Sequence, residues 1–274
     1  MRKIEKQSVN LQDRISFSFG KNWEEFINKY FSEERVRVTI DHILSFLEMP
    51  DLKGKYFLDI GCGSGLSSLA AFKAGADRIV SFDIDPICVE ITRKLKELNG
   101  NPVKWKILQG SILDKKFLSS IEPADIVYSW GVLHHTGNMW TAIQNAANLM
   151  KNNGLFYVAL YVETPSSEYW LKIKKKYNRY SPAGKRIMEV WFIFRRIAGL
   201  IIRGKNPVAY FREYKKKRGM SYLIDVRDWL GGLPYEYAKI EEVLRFCRKN
   251  LNLELMNLKT GEANIEYLFT RRKA

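Results

Sequence analysis

Short apolar blocks alternate with glycine-bearing turns and with stretches of helical periodicity through the first part of the chain. Tyr56-Phe57-Leu58, Arg78 to Phe82, Val103 to Leu108, Asp125 to Trp130 and Leu155 to Tyr161 read as five buried strands. Leu66 to Ala74 reads as a helix ended by Gly75, and Asp85-Pro86 as the N-cap and first residue of another. Leu149 to Gly154 reads as the loop before the fifth strand. Upstream, two helices are expected, about Trp23 to Phe31 and Glu33 to Leu47, the first burying Trp23, Phe26, Ile27 and Tyr30. Downstream, Lys185 to Arg203 reads as a mostly apolar helix and Ile240 to Lys249 as another. Leu253 to Leu258 and Ile265 to Arg271 read as a sixth and an antiparallel seventh strand.

The first of these strands runs into Asp59-Ile60-Gly61-Cys62-Gly63-Ser64-Gly65, a strand, a tight turn and a helix start, which is the anatomy of a nucleotide-type cofactor site. The third glycine comes one position earlier than the dinucleotide pattern requires. Asp59 would repel a pyrophosphate at the helix N-terminus but attract an ammonium group. S-adenosylmethionine carries an ammonium and a sulfonium. Asp83, eighteen positions after Gly65, suits a ribose hydroxyl clamp.

On these residues the stretch resembles motif I of the class I S-adenosylmethionine-dependent methyltransferases, and Ser81-Phe82-Asp83-Ile84-Asp85-Pro86 resembles their acidic second-strand motif. The resemblance covers about the first 160 residues and the last 35. It implies an α/β, seven-stranded Rossmann-like sheet with N-terminal helices and a helical insertion after the fifth strand. It implies cofactor contacts from Asp59, Gly61, Cys62, Gly63, Gly65, Asp83, Ile84, Ser111, Ile112 and Trp130. Ser111 stands where many relatives have an aspartate for the adenine amino group. The core motifs look like the small-molecule branch that includes the ubiquinone O-methyltransferases. The expected division is 1–50 as helical cover, 51–163 as cofactor core, 164–237 as insertion and 238–274 as the end of the core.

His134 and His135 follow the fourth strand, where class I methyltransferases hold the methyl group, and a histidine there suits a general base. His135 is favoured over His134. The structural alternative is ring stacking for one and backbone capping for the other. Base-methylating motifs of the Pro-Pro-Tyr and Pro-Cys kinds are absent, which makes nucleic acid the less favoured acceptor.

Charge changes the picture of the insertion. Of the formal net charge of +15, residues 165–220 carry +13, with sixteen basic and three acidic side chains. Tyr169, Trp170, Trp191, Phe192 and Phe194 are among the rings interleaved with them. Four readings stand: a cap over the acceptor, a peripheral membrane contact through 185–203, a homodimer interface, or a nucleic-acid groove. A cap of this kind suits a small anionic or lipid-linked acceptor, with Trp23, Arg179 and Trp229 as candidate contacts. The Asp228 to Glu236 stretch reads as a glycine-rich loop at that pocket. An RNA methyltransferase and a non-catalytic cofactor-binding module are the alternatives. Cys62, Cys88 and Cys247 read as free thiols, no metal site is expected, and with no apolar leader or span the expected location is cytoplasmic, at most peripheral to a membrane.

Overall fold

The computed structural model describes Gly20 and residues 31–218, 222–261 and 264–272. Trp23, Phe26, Ile27 and Tyr30 lie outside the described residues. Seven strands form one sheet in the order β3-β2-β1-β4-β5-β7-β6. They are β1 (Tyr56–Ile60), β2 (Arg78–Asp83), β3 (Trp105–Gln109), β4 (Ala124–Trp130), β5 (Met150–Tyr161), β6 (Leu253–Thr260) and β7 (Asn264–Arg271). The first five pair in parallel and β7 runs antiparallel to both neighbours.

Helices cover both faces, which is why β1 is buried along its whole length and reads as an unbroken apolar run apart from Asp59. On one face α1 (Glu33–Leu47) and α2 (Leu66–Lys73) pack Ile43, Phe46, Leu69 and Ala70 against Phe57, Ile79 and Tyr157. On the other, Leu58, Ile60 and Val158 meet Ile143 and Ala146 of α5 (Met139–Asn148) and Val243 of α10 (Ile240–Asn250). The remaining core helices are α3 (Pro86–Leu98) and the single turn α4 (Lys115–Leu118). Asp85 caps α3 as expected, its Oδ1 accepting from Ile87 N at 2.9 Å. The chain winds outward from β1 through β2 to β3, then restarts on the other side at β4. The carboxyl ends of β1 and β4 therefore flank the point where the strand order reverses, and ligands bind there in open α/β sheets.

Several boundaries differ from the expected ones: β3 starts at Trp105 and not Val103, the long insertion helix at Pro182 and not Lys185, and β6 runs on to Thr260. β5 begins at Met150, within the expected loop, and its register against β4 is irregular between Ala124 and Ile126. Gly154 makes this approach feasible, since a Cβ there would lie 2.7 Å from Met150 Cγ and 3.0 Å from the Ala124 carbonyl. The Asp228 to Gly231 part of the expected loop is helical instead. It closes α9 (Tyr222–Gly231), because Val226 and Leu230 lie one turn apart and both bury against Tyr177.

The insertion is built from α6 (Ser167–Arg179), α7 (Pro182–Ile202), α8 (Pro207–Arg218) and α9. Its small core centres on Tyr177, Val226 and Leu230, joined by Trp170, Ile173, Met188, Phe192 and Trp229. The two ends of the insertion meet: Val162 bridges to Ala238, and Glu163 N donates to the Ala238 carbonyl at 3.0 Å. The helices are thus tethered at one place, beside the carboxyl end of β5.

A buried polar relay crosses the sheet beneath the glycine loop. Trp105 Nε1 donates to Ser81 Oγ at 2.8 Å, Ser81 and Ser68 hydroxyls lie 2.6 Å apart, and Ser68 Oγ donates to Asp59 at 2.5 Å. Ser81→Ala leaves the indole N–H of Trp105 without its acceptor in a fully buried position. A loss of about 1–3 kcal/mol is expected, read as a lower denaturation midpoint in urea with an unchanged slope.

Candidate active site

The glycine loop after β1 carries three left-handed residues, with φ of 73° at Gly61, 52° at Gly63 and 77° at Gly65. A side chain at Gly61 would meet Val132, with a Cβ 2.4 Å from its Cγ1. Glycine is needed here for backbone conformation and for close approach. Gly61 N and Cys62 N both donate to the Phe82 carbonyl, at 2.8 and 3.1 Å, so the loop is pinned to the end of β2.

Asp83 completes that pinning. Its Oδ2 accepts from Gly63 N at 3.0 Å and its Oδ1 from Asp85 N at 2.9 Å. A carboxylate has about four lone-pair positions, so two further donors such as ribose hydroxyls are compatible with these bonds. Burial raises its pKa, and the backbone N–H donors oppose that shift by favouring the charged form. Ile84, the next residue, is 70% exposed at the strand's end, and Trp130 is exposed at the end of β4. Ser111 Oγ accepts from Leu113 N at 3.1 Å and Ile112 is buried, so this loop is a local hydroxyl turn. The Gly20 N–H reaches Asp85 Oδ2 at 3.0 Å, which places Gly20 at the same edge.

Asp59 and Cys62 face inward. Asp59 is 2% exposed and bonded to Ser68, and burial pushes its pKa up to about 7. Attraction to a ligand ammonium would then act through the buried relay, at short range in a poorly screened interior. The Cys62 thiol contacts Thr92 Oγ1 at 3.4 Å and is held protonated by burial. Cys88 and Cys247 are likewise free and buried.

Beyond β4, Leu133–His135 forms a short 3-10 turn. His134 stacks on Tyr161 with ring centroids 3.9 Å apart, and its Nδ1 accepts from Tyr161 N at 3.3 Å. Its proton therefore sits on Nε2, which is buried and has no hydrogen-bond partner among the described residues. A buried donor without an acceptor among the described residues carries a desolvation cost. His135 Nδ1 donates to the Pro234 carbonyl at 2.5 Å, which leaves Nε2 as its basic nitrogen. Burial, reinforced by the nearby Lys174 ammonium, lowers the pKa of His135, and burial lowers that of His134. One ring of the pair stacks on Tyr161 and the other bonds backbone, as the structural alternative describes.

Sequence reasoning missed Lys174. It lies on α6 in phase with Trp170 and Tyr177, and a lysine on an apolar stripe is the signal that would have found it. Its ammonium is buried, donates to the Trp229 carbonyl at 2.8 Å and the Asp228 carbonyl at 3.2 Å, and sits 4.9 Å from the centroid of the Tyr235 ring. Burial lowers its pKa to about 7. Tyr235 in turn contacts Tyr161 at 5.3 Å. The insertion is thereby coupled to the histidine turn. The two insertion residues expected to touch the acceptor lie in different surroundings. Arg179 is exposed at the end of α6. The Trp229 ring packs in the insertion core against Tyr222 and Phe192, because α9 continues through it and turns it inward.

A profile of the family described as ribosomal protein L11 methyltransferase (PrmA) matches residues 38–179, just over half of the chain. The chain belongs to this family. It belongs with it to the S-adenosylmethionine-dependent methyltransferases. The ribosomal protein L11 methyltransferase of Tolumonas auensis is 31% identical over 148 residues, 54% of this chain and 47% of that protein. The one from Vibrio campbellii is 46% identical over 57 residues, 21% and 19% of the two chains. The chain thus spans about half or less of the curated relatives it matches. Among solved structures it is similar to magnesium protoporphyrin IX methyltransferase from Synechocystis PCC 6803 with bound S-adenosylhomocysteine, at a TM-score of 0.55 and 15% identity, covering 92% and 94% of the two chains. It is also similar to PKMT2 from Rickettsia typhi, at 0.57 and 16%, covering 94% and 54%. These likenesses establish the class I methyltransferase fold. The ubiquinone O-methyltransferase branch finds no counterpart among these relatives.

The left-handed glycine loop and the clamping carboxylate fit S-adenosylmethionine. Asp83→Ala is expected to lower affinity for S-adenosylhomocysteine by about tenfold or more, since it frees Gly63 and Asp85 and removes the ribose acceptor; isothermal titration reads this. Asp59→Asn is expected to weaken binding while leaving thermal stability at pH 8 unreduced, because Asp59 is ionised there at a desolvation cost. For the histidines the sign is opposite to that of Asp59, whose pKa is raised. Their folded pKa values lie below the ordinary 6.5, so stability present above that pH is lost as pH falls through it. Melting temperature should drop on acidification from pH 7.5 to 5.5, and less steeply in His134→Phe.

Proposed function

We propose that this chain transfers the methyl group of S-adenosylmethionine to a nitrogen or oxygen of a protein acceptor. The observation that carries the transfer is the glycine loop pinned by Asp83 beside the histidine turn, all within the matched segment 38–179. Protein as the acceptor is supported by the names of the curated relatives, each a ribosomal protein L11 methyltransferase. A small anionic or lipid-linked acceptor, expected from the resemblance and the basic insertion, has no such support and gives way to it. A ribosomal acceptor would also place the reaction in the cytoplasm.

The cofactor supplies an electrophilic methyl group on a sulfonium. The chain's own contribution is mainly positioning, which can account for much of the barrier reduction in an in-line displacement. Gly61, Gly63 and Gly65 admit the ligand backbone-close, Asp83 fixes the ribose, and the exposed Ile84 and Trp130 offer apolar surface at its two sides. His135 Nε2, left unprotonated by the Nδ1–H bond to Pro234, takes the proton that the acceptor releases. Burial lowers its pKa, which keeps the ring neutral at physiological pH and makes it a weaker base than a solvated imidazole, so positioning carries most of the rate. Lys174 and Tyr235 hold the insertion against that turn, so the acceptor enters between the insertion and the ends of β4 and β5.

The test is to incubate the protein with methyl-labelled S-adenosylmethionine and host extract, then separate acid-precipitable protein, organic extract and aqueous small molecules. Protease-sensitive label in the precipitate is expected, and His135→Ala should reduce its rate of formation by about a hundredfold. Label in the organic phase would overturn the protein acceptor in favour of a lipid or quinone. Nuclease-sensitive label would assign it to RNA, and no label in any fraction would leave a binding module.

A further inference from the structure

The longest helix of the insertion has two faces, and only one of them is used by the fold. On the inner face of α7, Met188, Phe192 and Ile193 pack against the insertion core, and Leu200 is buried. Glu189, the helix's one acid, is buried there too. It accepts from Tyr177 Oη at 2.7 Å and from Arg227 Nε at 3.4 Å. The outer face carries Ile187, Val190, Trp191, Phe194, Ile201 and Ile202, every one more than half exposed and Ile202 reaching 85%. At 3.6 residues per turn these six fall within about a third of the helix circumference, in one continuous stripe. Arg186 lies along one side of the stripe and Arg195 along the other, its guanidinium 4.8 Å from the centroid of the Trp191 ring. Arg203 and Lys205 are exposed at its end.

We propose that this face of α7 seats the insertion on an anionic lipid surface. The apolar stripe enters the boundary between headgroups and acyl chains, and the flanking arginines meet lipid phosphates. Charge selects this occupant over a second copy of the chain, since two insertions of +13 each would repel. Side-chain chemistry selects it over RNA: four of the six stripe residues are aliphatic, with no ring on which a base could stack. The helix lies on the surface and does not cross it. No described helix is long and apolar enough to span a membrane, and the inner face of α7 is committed to the insertion core. This inference is independent of the acceptor, because the stripe is formed by residues outside the glycine loop and the histidine turn.

The test is flotation of the full chain with vesicles of phosphatidylcholine alone and of equal parts phosphatidylcholine and phosphatidylglycerol. Binding to the anionic vesicles is expected, falling with added salt, with little binding to the neutral ones. The double variant Trp191→Ser, Phe194→Ser should reduce partitioning by about tenfold or more. Its affinity for S-adenosylhomocysteine and its melting temperature should match the parent, as neither ring belongs to the core. No flotation of the parent with anionic vesicles, or equal flotation of the variant, overturns the proposal. A dimer in solution that the variant dissociates, or RNA binding that it abolishes, would assign the stripe to that partner instead and overturn it equally.

Discussion

The carboxylate of Asp83 is the tie on which the candidate site depends. It accepts from the glycine loop after β1 and from the start of the next helix at once, so one side chain locks together the two loops that would hold opposite parts of a nucleoside. Backbone N–H groups at this edge would otherwise have to be satisfied by water or by ligand. The three left-handed glycines give the loop the shape to reach that carboxylate. A fully L-branched loop would neither adopt those dihedrals nor clear Val132.

Beneath this tie the polar relay of Trp105, Ser81, Ser68 and Asp59 runs through a core that is otherwise apolar. Its cost is visible in the raised pKa of Asp59, because the hydrogen bonds from Ser68 offset only part of the desolvation of a buried ionised carboxylate. Retaining such a group at the end of β1 exchanges stability for a negative charge close to the ligand end of the sheet. The histidine turn shows the same exchange, with an unpartnered N–H buried at His134 and a lysine ammonium buried nearby.

The insertion connects the two functional proposals through one element. α6 reaches the site through Lys174, whose ammonium lies over the Tyr235 ring beside Tyr161, and α7 presents an apolar face on its outer side. A surface bound by α7 would therefore bear on the position of Tyr235 and of the Pro234 carbonyl that orients His135.

Sequence alone determined the sheet, because strands buried on both faces leave apolar runs, and the α1 and α3 caps leave Ser and Asp-Pro signals at their starts. It also determined the cofactor loop, since the positive dihedrals at Gly61, Gly63 and Gly65 demand glycine at fixed spacing. The +13 charge of the insertion was legible by counting, but its architecture was not. Whether Trp229 faces a ligand or a core depends on where α9 ends, and Arg179 and Lys174 are distinguished only by which side of α6 meets the Asp228 and Trp229 carbonyls. The tertiary structure decided these, along with the basic nitrogen of His135, the missing partner of His134 and the outward turn of the α7 stripe. Each is set by contacts between segments far apart in the chain, and local periodicity carries no record of them.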